Sequence, residues 1–310
     1  MVSEGDDVPP ERGVVLRGTG GVWVVRTTAG ETREAALRGR LKQETGIKLA
    51  VGDDVVLASD GRGGSWVIVE ILPRRSVLAR RAPGGGYGER IVAANVDQVI
   101  VVFAAAQPEA HPRMIDRFLV IAEANDLEAQ VVVNKVDLID SAAARARFAD
   151  YTRAGYVVHF TSVRTGAGLP ELHAALNGRT SAVSGPSGVG KSSLLNALYP
   201  GLNLRVGAVS DAVQKGRHTT VGAWLHPLPD GGFVADTPGL REVGFWGLTA
   251  GALDHCFPEF RPWLDTCRFA DCTHRVEPGC AVRDAVGRGE VSAVRYESYL
   301  RLFAELATDN

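Results

Sequence analysis

The sequence predicts a multi-domain protein: an N-terminal OB-fold β-barrel, a P-loop α/β domain in circularly permuted order, and a C-terminal, mainly helical domain that binds zinc. Three observations carry this reading. Five short strand patterns fill residues 11–72. Three nucleotide-site motifs fall between residues 134 and 239, in an order rotated from the usual one. Three cysteines and a histidine lie within fourteen residues near the C-terminal end.

Bulk properties set the frame. A chain of 310 residues is long enough for two or three domains, and 45% apolar content is ordinary for globular protein. The longest uninterrupted apolar stretch, Val99–Ala106, is far short of the ~20 residues a membrane span needs. Met1–Pro10 is acidic and lacks the apolar run of a signal peptide, so a cytoplasmic protein with no membrane partner is expected. Clustered cysteines point to a metal and not to a secreted disulfide framework. Net charge is −2, but residues 11–90 hold 14 Lys+Arg against 9 Asp+Glu. That basic front segment suits a phosphate-rich partner, although a solvated basic surface reads the same way.

The front segment reads as strands at Gly13–Leu16, Val22–Arg26, Glu31–Ala36, Asp54–Ala58 and Trp66–Ile71, separated by Gly- and Asp-rich turns. Five strands with a longer polar stretch at Arg38–Lys48 predict an OB-fold RNA-binding domain over 11–72, with an SH3-like barrel as the alternative. Residues 73–94 carry Arg74, Arg75, Arg80, Arg81 and Arg90 around a glycine-rich loop at 83–88. They read as a basic linker without regular structure, free to meet phosphate. Residues 95–244 alternate strands (Gln98–Phe103, Ala129–Val133, Val157–Thr161, Thr180–Ser184, Ala223–His226, Phe233–Ala235) with helices (Arg113–Asn125, Ser141–Ala154, Leu169–Leu176, Lys191–Tyr199). Valine runs such as Val99–Val102 fit strands buried on both faces of a parallel sheet. Residues 245–310 hold the Cys/His cluster and a final helix, whose Tyr296, Tyr299, Leu300, Phe303 and Leu306 make one apolar face for packing.

The motifs specify chemistry. Gly185-Pro186-Ser187-Gly188-Val189-Gly190-Lys191-Ser192 reads G-x-x-x-x-G-K-S, between a strand and a helix as a phosphate-binding loop requires. Its backbone N–H groups and the helix N-terminus would cradle phosphates, Lys191 would reach the β- and γ-phosphates, and Ser192 would ligate Mg²⁺, with Ser193 beside it. Asn134-Lys135-Val136-Asp137 reads N-K-x-D. Asp137 can accept from guanine N1–H and the N2 amino group together, which adenine cannot offer. Asn134 would meet guanine O6 or N7 and tie its loop to the P-loop, and the Lys135 stem would cover the base. Ser162, in Thr161-Ser162-Val163, is placed for a backbone contact to guanine O6. Asp236-Thr237-Pro238-Gly239 reads D-x-x-G: Asp236 would hold Mg²⁺ through water, and the Gly239 N–H would sense the γ-phosphate. In Gly216-Arg217-His218-Thr219-Thr220 a Thr would complete the Mg²⁺ shell; Thr220 is preferred over Thr219, and the sequence does not decide between them. Leu240 stands where Ras-type proteins have a water-orienting Gln, so His218, the switch backbone or a partner must serve. Slow intrinsic hydrolysis is expected.

Cys267, Cys272, His274 and Cys280 form C-x4-C-x-H-x5-C, a closed tetrahedral Cys₃His set that suits one structural Zn²⁺. Cys256 lies outside it.

Together these residues resemble the RsgA (YjeQ) family of circularly permuted GTPases. The resemblance extends to Ala93-Ala94-Asn95-Val96-Asp97-Gln98, Ile115-Asp116-Arg117, the run Ser187–Asn196, Gly216–Thr220, the D-T-P-G and the zinc motif, and spans nearly the whole chain from about Gly13. It implies an OB-fold, a permuted GTPase domain and a zinc domain in one monomer. It also implies GTP hydrolysis to GDP stimulated by the 30S ribosomal subunit, contact with 16S rRNA, and a role in late subunit maturation. Two departures stand out: Val221 replaces the last Thr of H-T-T-T, and Trp246-Gly247-Leu248 stands where many relatives read W-H-L. Two other readings use the same motifs. A nucleotide-gated RNA-binding module would share the site and turn over incidentally, and a P-loop ATPase or kinase is disfavoured by N-K-x-D.

Overall fold

The computed structural model describes residues 9–39, 41, 48–60, 65–81, 89–204, 223–236 and 247–308. The front segment closes into a five-stranded barrel of β1 (Glu11–Thr19), β2 (Val22–Thr27), β3 (Thr32–Leu37), β4 (Asp54–Ser59) and β5 (Trp66–Ile71). The order is β1-β2-β3-β5-β4, with β4 returning to β1 and β3 running parallel to β5. This is OB-fold connectivity, with closure that leaves no free edge. Alternation with a period of two puts Val15, Val25, Val55, Leu57 and Ile68 inside, all fully buried.

Where the sequence predicts an irregular linker at 73–94, the structure has a hairpin, β6 (Val77–Arg81) paired with β7 (Glu89–Ala94). The glycines that argue against regular structure fall between the two strands, not in them. Two of the linker arginines are also committed internally. Arg74 grips the fully buried Asp53 through Nε at 2.6 Å and Nη2 at 2.9 Å, and donates to Lys48 O at 2.7 Å. Arg75 pairs with Asp97 at 2.9 Å. Asn95 completes the joint: its Nδ2 donates to Gly52 O and Asp54 Oδ2, and its Oδ1 accepts from the Arg75 N–H.

The central domain is a six-stranded sheet of β8 (Gln98–Ala104), β9 (Glu128–Asn134), β10 (Val157–Phe160), β11 (Thr180–Ser184), β12 (Trp224–Pro227) and β13 (Phe233–Asp236), in the order β10-β9-β8-β11-β13-β12. All neighbours are parallel except β12, which returns antiparallel beside β13. All seven residues of β8 are buried, as a central parallel strand requires. Val99, Val101 and Phe103 face one core; Ile100, Val102 and Ala104 face the other. Chain order reverses at β8/β11, which is where such sheets bind ligands.

Among the described residues, five helices cover the sheet: α1 (Pro112–Glu123), α2 (Ser141–Arg147), α3 (Ala149–Arg153), α4 (Leu169–Leu176) and α5 (Lys191–Leu198). The single helix expected at 141–154 is two, broken at Phe148 (φ −105°, ψ 9°), whose ring is 1% exposed. Burying that ring against Tyr151 and Phe160 outweighs continuing the helix.

The C-terminal unit holds short 3₁₀ turns, α6 (Arg261–Leu264), α7 (Ala281–Gly287) and α8 (Ala293–Thr308). Helix α8 lies along α1, and Val120 of α1 belongs to the C-terminal core. Arg295 of α8 is 1% exposed and joins Asp116 of α1 (2.7 Å) to Glu259 (2.6 and 2.9 Å). Arg117–Glu305 and Arg261–Glu123 bridge the same boundary nearer solvent.

Candidate nucleotide site and metal centre

The rotated motifs converge at the carboxyl ends of β9 and β11, on either side of β8. The P-loop runs from β11 into α5, and its residues 188–190 meet the N-K-x-D segment directly. Asn134 Nδ2 donates to Val189 O at 2.9 Å, while Asn134 Oδ1 accepts from Thr161 Oγ1 at 3.2 Å. Asn134 is 2% exposed, so this one side chain locks three strand ends together. The approach needs glycine: a Cβ on Gly190 (φ +95°) would lie 2.6 Å from Asn134 Nδ2. Gly185 (φ +136°) is as tightly held, since its Cβ would meet Val102 O at 2.0 Å. Lys135, left-handed at φ +61°, adds a second clasp, with Nζ donating to Gly188 O at 2.7 Å and to Gln107 O.

Lys191 opens α5 and donates to the P-loop carbonyls of Gly185 (2.7 Å) and Pro186 (2.6 Å). Ser192 and Ser193 follow in the first turn, half-buried, where the helix N-terminus favours anionic oxygen. Ser187 and Gly188 are exposed, and Val189 points into the core.

Asp137 sits on a 3₁₀ turn over Val136–Leu138. Ser162 Oγ donates to its Oδ1, and Arg164 Nε donates to its Oδ2 at 2.7 Å. The Ser162 hydroxyl foremost, then Arg164, hold the Asp137 carboxyl below the usual carboxylate range. Thr161 and Ser162 are fully buried, and Gly166 N–H and Thr165 N–H close their turn on Ser162. Two lone pairs of the Asp137 carboxylate remain for a ligand with adjacent donors, as guanine has. Arg164 is the addition here. Its ion pair is invisible in sequence because the partners are 27 residues apart.

Asp236 ends β13 in register with Val183, two residues before the P-loop, which sets its backbone beside the strand that leads into that loop. His218, Thr219, Thr220, Gly239 and Leu240 lie outside the described residues.

The second centre gathers Cys267, Cys272, His274 and Cys280, whose ligand atoms all lie within 4.8 Å of one another. His274 Nδ1 is 3.5 Å from Cys267 Sγ and 3.5 Å from Cys280 Sγ. Zn–S bonds of about 2.3 Å and Zn–N bonds of about 2.0 Å at tetrahedral angles give N···S edges of about 3.5 Å, so the donors fit that ion. The other ring nitrogen, Nε2, lies 3.3 Å from Asp254 Oδ2. Burial opposes ionisation of Asp254 most strongly, but the His274 hydrogen bond, the His255 N–H and the charges of both histidines together outweigh it and keep the carboxyl below its ordinary range. Such a carboxylate fixes the tautomer of a ligating imidazole. Asp254 escapes sequence reading because it lies 20 residues from His274. Tyr296 and Tyr299 do more than pack: their hydroxyls donate to His274 O and Thr273 O, both at 2.7 Å.

The family model described as RsgA GTPase matches residues 71–246. A protein of Gemmatimonas aurantiaca, named small ribosomal subunit biogenesis GTPase RsgA, is 65% identical over 297 residues, covering 95% of this chain and 97% of that one. A Moorella thermoacetica protein of the same name is 44% identical, with the same coverage. The solved structure of YjeQ from Thermotoga maritima superposes with a TM-score of 0.82 at 37% identity, over 96% of this chain and 99% of that one. YloQ, described as a circularly permuted GTPase, superposes at 0.77 with 29% identity over 98% of each chain.

Proposed function

The chain belongs to the RsgA GTPase family and is a GTP hydrolase; from that premise we propose that it works on the small ribosomal subunit, hydrolysing GTP to GDP and phosphate during late 30S maturation, with the subunit as activator. The names of its relatives support the subunit as partner. The observation that carries the nucleotide assignment is the Asn134–Val189 bond over Gly190, which makes one site of two motifs 55 residues apart.

In this reading Asp137 selects guanine, the P-loop backbone and Lys191 hold the phosphates, and Ser162 and Arg164 orient the selecting carboxylate. Lys191 releases Gly185 O and Pro186 O as it turns to phosphate. Ser192 and Thr220, together with Asp236, would hold Mg²⁺, which would supply charge neutralisation on the phosphates. The register of Asp236 beside Val183 supports its part in that set. On sequence grounds we assign orientation of the attacking water to His218, and γ-phosphate sensing to the Gly239 N–H. The Cys₃His set would hold a structural Zn²⁺.

Two measurements test this. GTP turnover by the full chain should be slow alone and rise at least tenfold with purified 30S subunits; unchanged turnover favours the nucleotide-gated binding module. Asp137→Asn should weaken GDP binding by roughly 10–100-fold, the loss of charge-assisted hydrogen bonds, and leave ATP binding as weak as before. An unaltered GDP affinity would remove guanine selection from Asp137.

A further inference from the structure

A groove of about 560 Å³ runs between the barrel and the β12–β13 hairpin, away from both centres described above. The register Val14↔Arg26 and the strand period of two put Arg12, Val14 and Arg26 on one outer face of the barrel. Pro227, Leu228 and Phe233 form the facing wall. The seam beneath is apolar, with Leu16 and Val51 of the barrel domain packed on Leu225 and Ala235 of the sheet. Its other end is aromatic and basic. Arg17 lies 4.6 Å over the Trp224 ring, His226 stacks on that ring at 4.9 Å, and Trp224 is still 45% exposed.

Arg12 and Arg26 differ from Arg33 of the barrel and from Arg74 of the segment that follows it. Arg33 and Arg74 are held in ion pairs with Glu11 and Asp53. Arg12 and Arg26 pair with no carboxylate among the described residues. Among the described residues the one carboxylate lining the groove, Asp54, is engaged by Asn95 Nδ2 at 3.1 Å, and its burial raises it above the ordinary carboxylate range. Two uncommitted guanidinium groups in an open groove call for an anionic chain, and an exposed aromatic stack at the end of the same seam calls for bases on that chain. An acidic peptide satisfies the first demand only.

We propose that this groove binds a single strand of RNA, its phosphates on Arg12 and Arg26 and an unstacked base on the Trp224–His226 platform. Guanidinium forks match phosphate oxygens, and aromatic stacking receives any base. The strand touches barrel and sheet together, so its binding holds the two domains in one arrangement. The proposal rests on the ribosomal reading above and adds to it a binding surface.

The test is fluorescence anisotropy of a labelled, mixed-sequence single-stranded RNA with the full chain across a salt series, alongside co-sedimentation with 30S subunits. Arg12→Glu with Arg26→Glu should weaken RNA binding at least tenfold. It should also flatten the log–log salt slope by about 1.4, two phosphate contacts at ~0.7 each. Arg12→Lys with Arg26→Lys should keep the slope, and Trp224→Ala should lower affinity without changing it. Thermal melting by circular dichroism shows that each variant folds. An unchanged slope in the glutamate variant overturns the proposal. So does loss of subunit binding with RNA binding intact, which would assign the groove to a protein. If the unaltered chain fails to bind subunits at all, it is the ribosomal reading that falls.

Discussion

Asp137 offers four lone-pair positions, and Ser162 and Arg164 take one on each oxygen. Arg164 is 71% exposed, so its hold is modest and orienting. Arg164→Ala should weaken GDP binding roughly two- to fivefold by calorimetry, with partial rescue by Lys. The sign of the pH effect follows. A carboxyl held below its ordinary value stays anionic as pH falls, so the guanine recognition proposed for Asp137 should persist until pH drops through the depressed value. In Arg164→Ala the acid limb should move upward, toward the ordinary carboxylate value. Arg295 is the opposite case: buried, and facing both Asp116 and Glu259. Arg295→Met strands two carboxylates and should cost about 3–5 kcal/mol in urea unfolding. Replacing all three with apolar residues of matching volume should recover most of that loss. N-K-x-D, the P-loop and the Cys₃His cluster are legible in sequence because each is compact. Arg164 and Arg295 are not, since their partners lie 27 and 179 residues away and only the fold brings them together.

At the scale of elements, a hydrogen-bonded chain of polar side chains crosses four strands of a sheet that reads as valine-rich and apolar. His159 of β10 bonds Gln130 Oε1 of β9 at 2.8 Å. Gln130 Nε2 donates to Gln98 Oε1 of β8, and Gln98 Nε2 donates to Ser181 Oγ of β11 and Ala175 O of α4. The direction is fixed: Gln130 Nε2 also donates to Glu128, so its oxygen faces His159, and Nε2 of that ring carries the proton. Burial holds His159 below the usual histidine value. The unfolded chain therefore takes up a proton before the folded one does. Stability should fall as pH drops below about 6.5, and level off below the folded value. His159→Gln should flatten that limb in urea titrations at stepped pH. The strands themselves are legible from alternation and valine runs, whereas the β6–β7 hairpin is hidden by the glycine loop within it. The break at Phe148 is hidden too, because an aromatic burial overrides an alanine-rich helical pattern.

At the scale of the molecule, the metal centre, α8 and α1 form one packed body. Removing the metal with a chelator should therefore lower the melting temperature of the whole chain, not release a small independent domain. Asp254→Ala should weaken Zn²⁺ binding about 10–100-fold in competition with a chromophoric chelator, the usual effect of losing such a supporting carboxylate. The three kinds of fold are readable along the chain; how they abut is not, because abutment is written in contacts such as those of β1 with β12 or of Asp116 with Arg295. The contact of α1 with α8 also bears on how the chain matures during its own synthesis. Helix α1 is complete by residue 123, yet its outer face, with Asp116 and Val120, is covered only by residues up to 308. A chain growing from its N-terminus must carry that face uncovered through some 130 further residues, until Asp254–Cys256 reaches it, and Asp116 without its partner until Arg295. Premature termination inside α8 should thus yield a species with a formed nucleotide-domain sheet, an uncovered apolar stripe and a strong demand for chaperones.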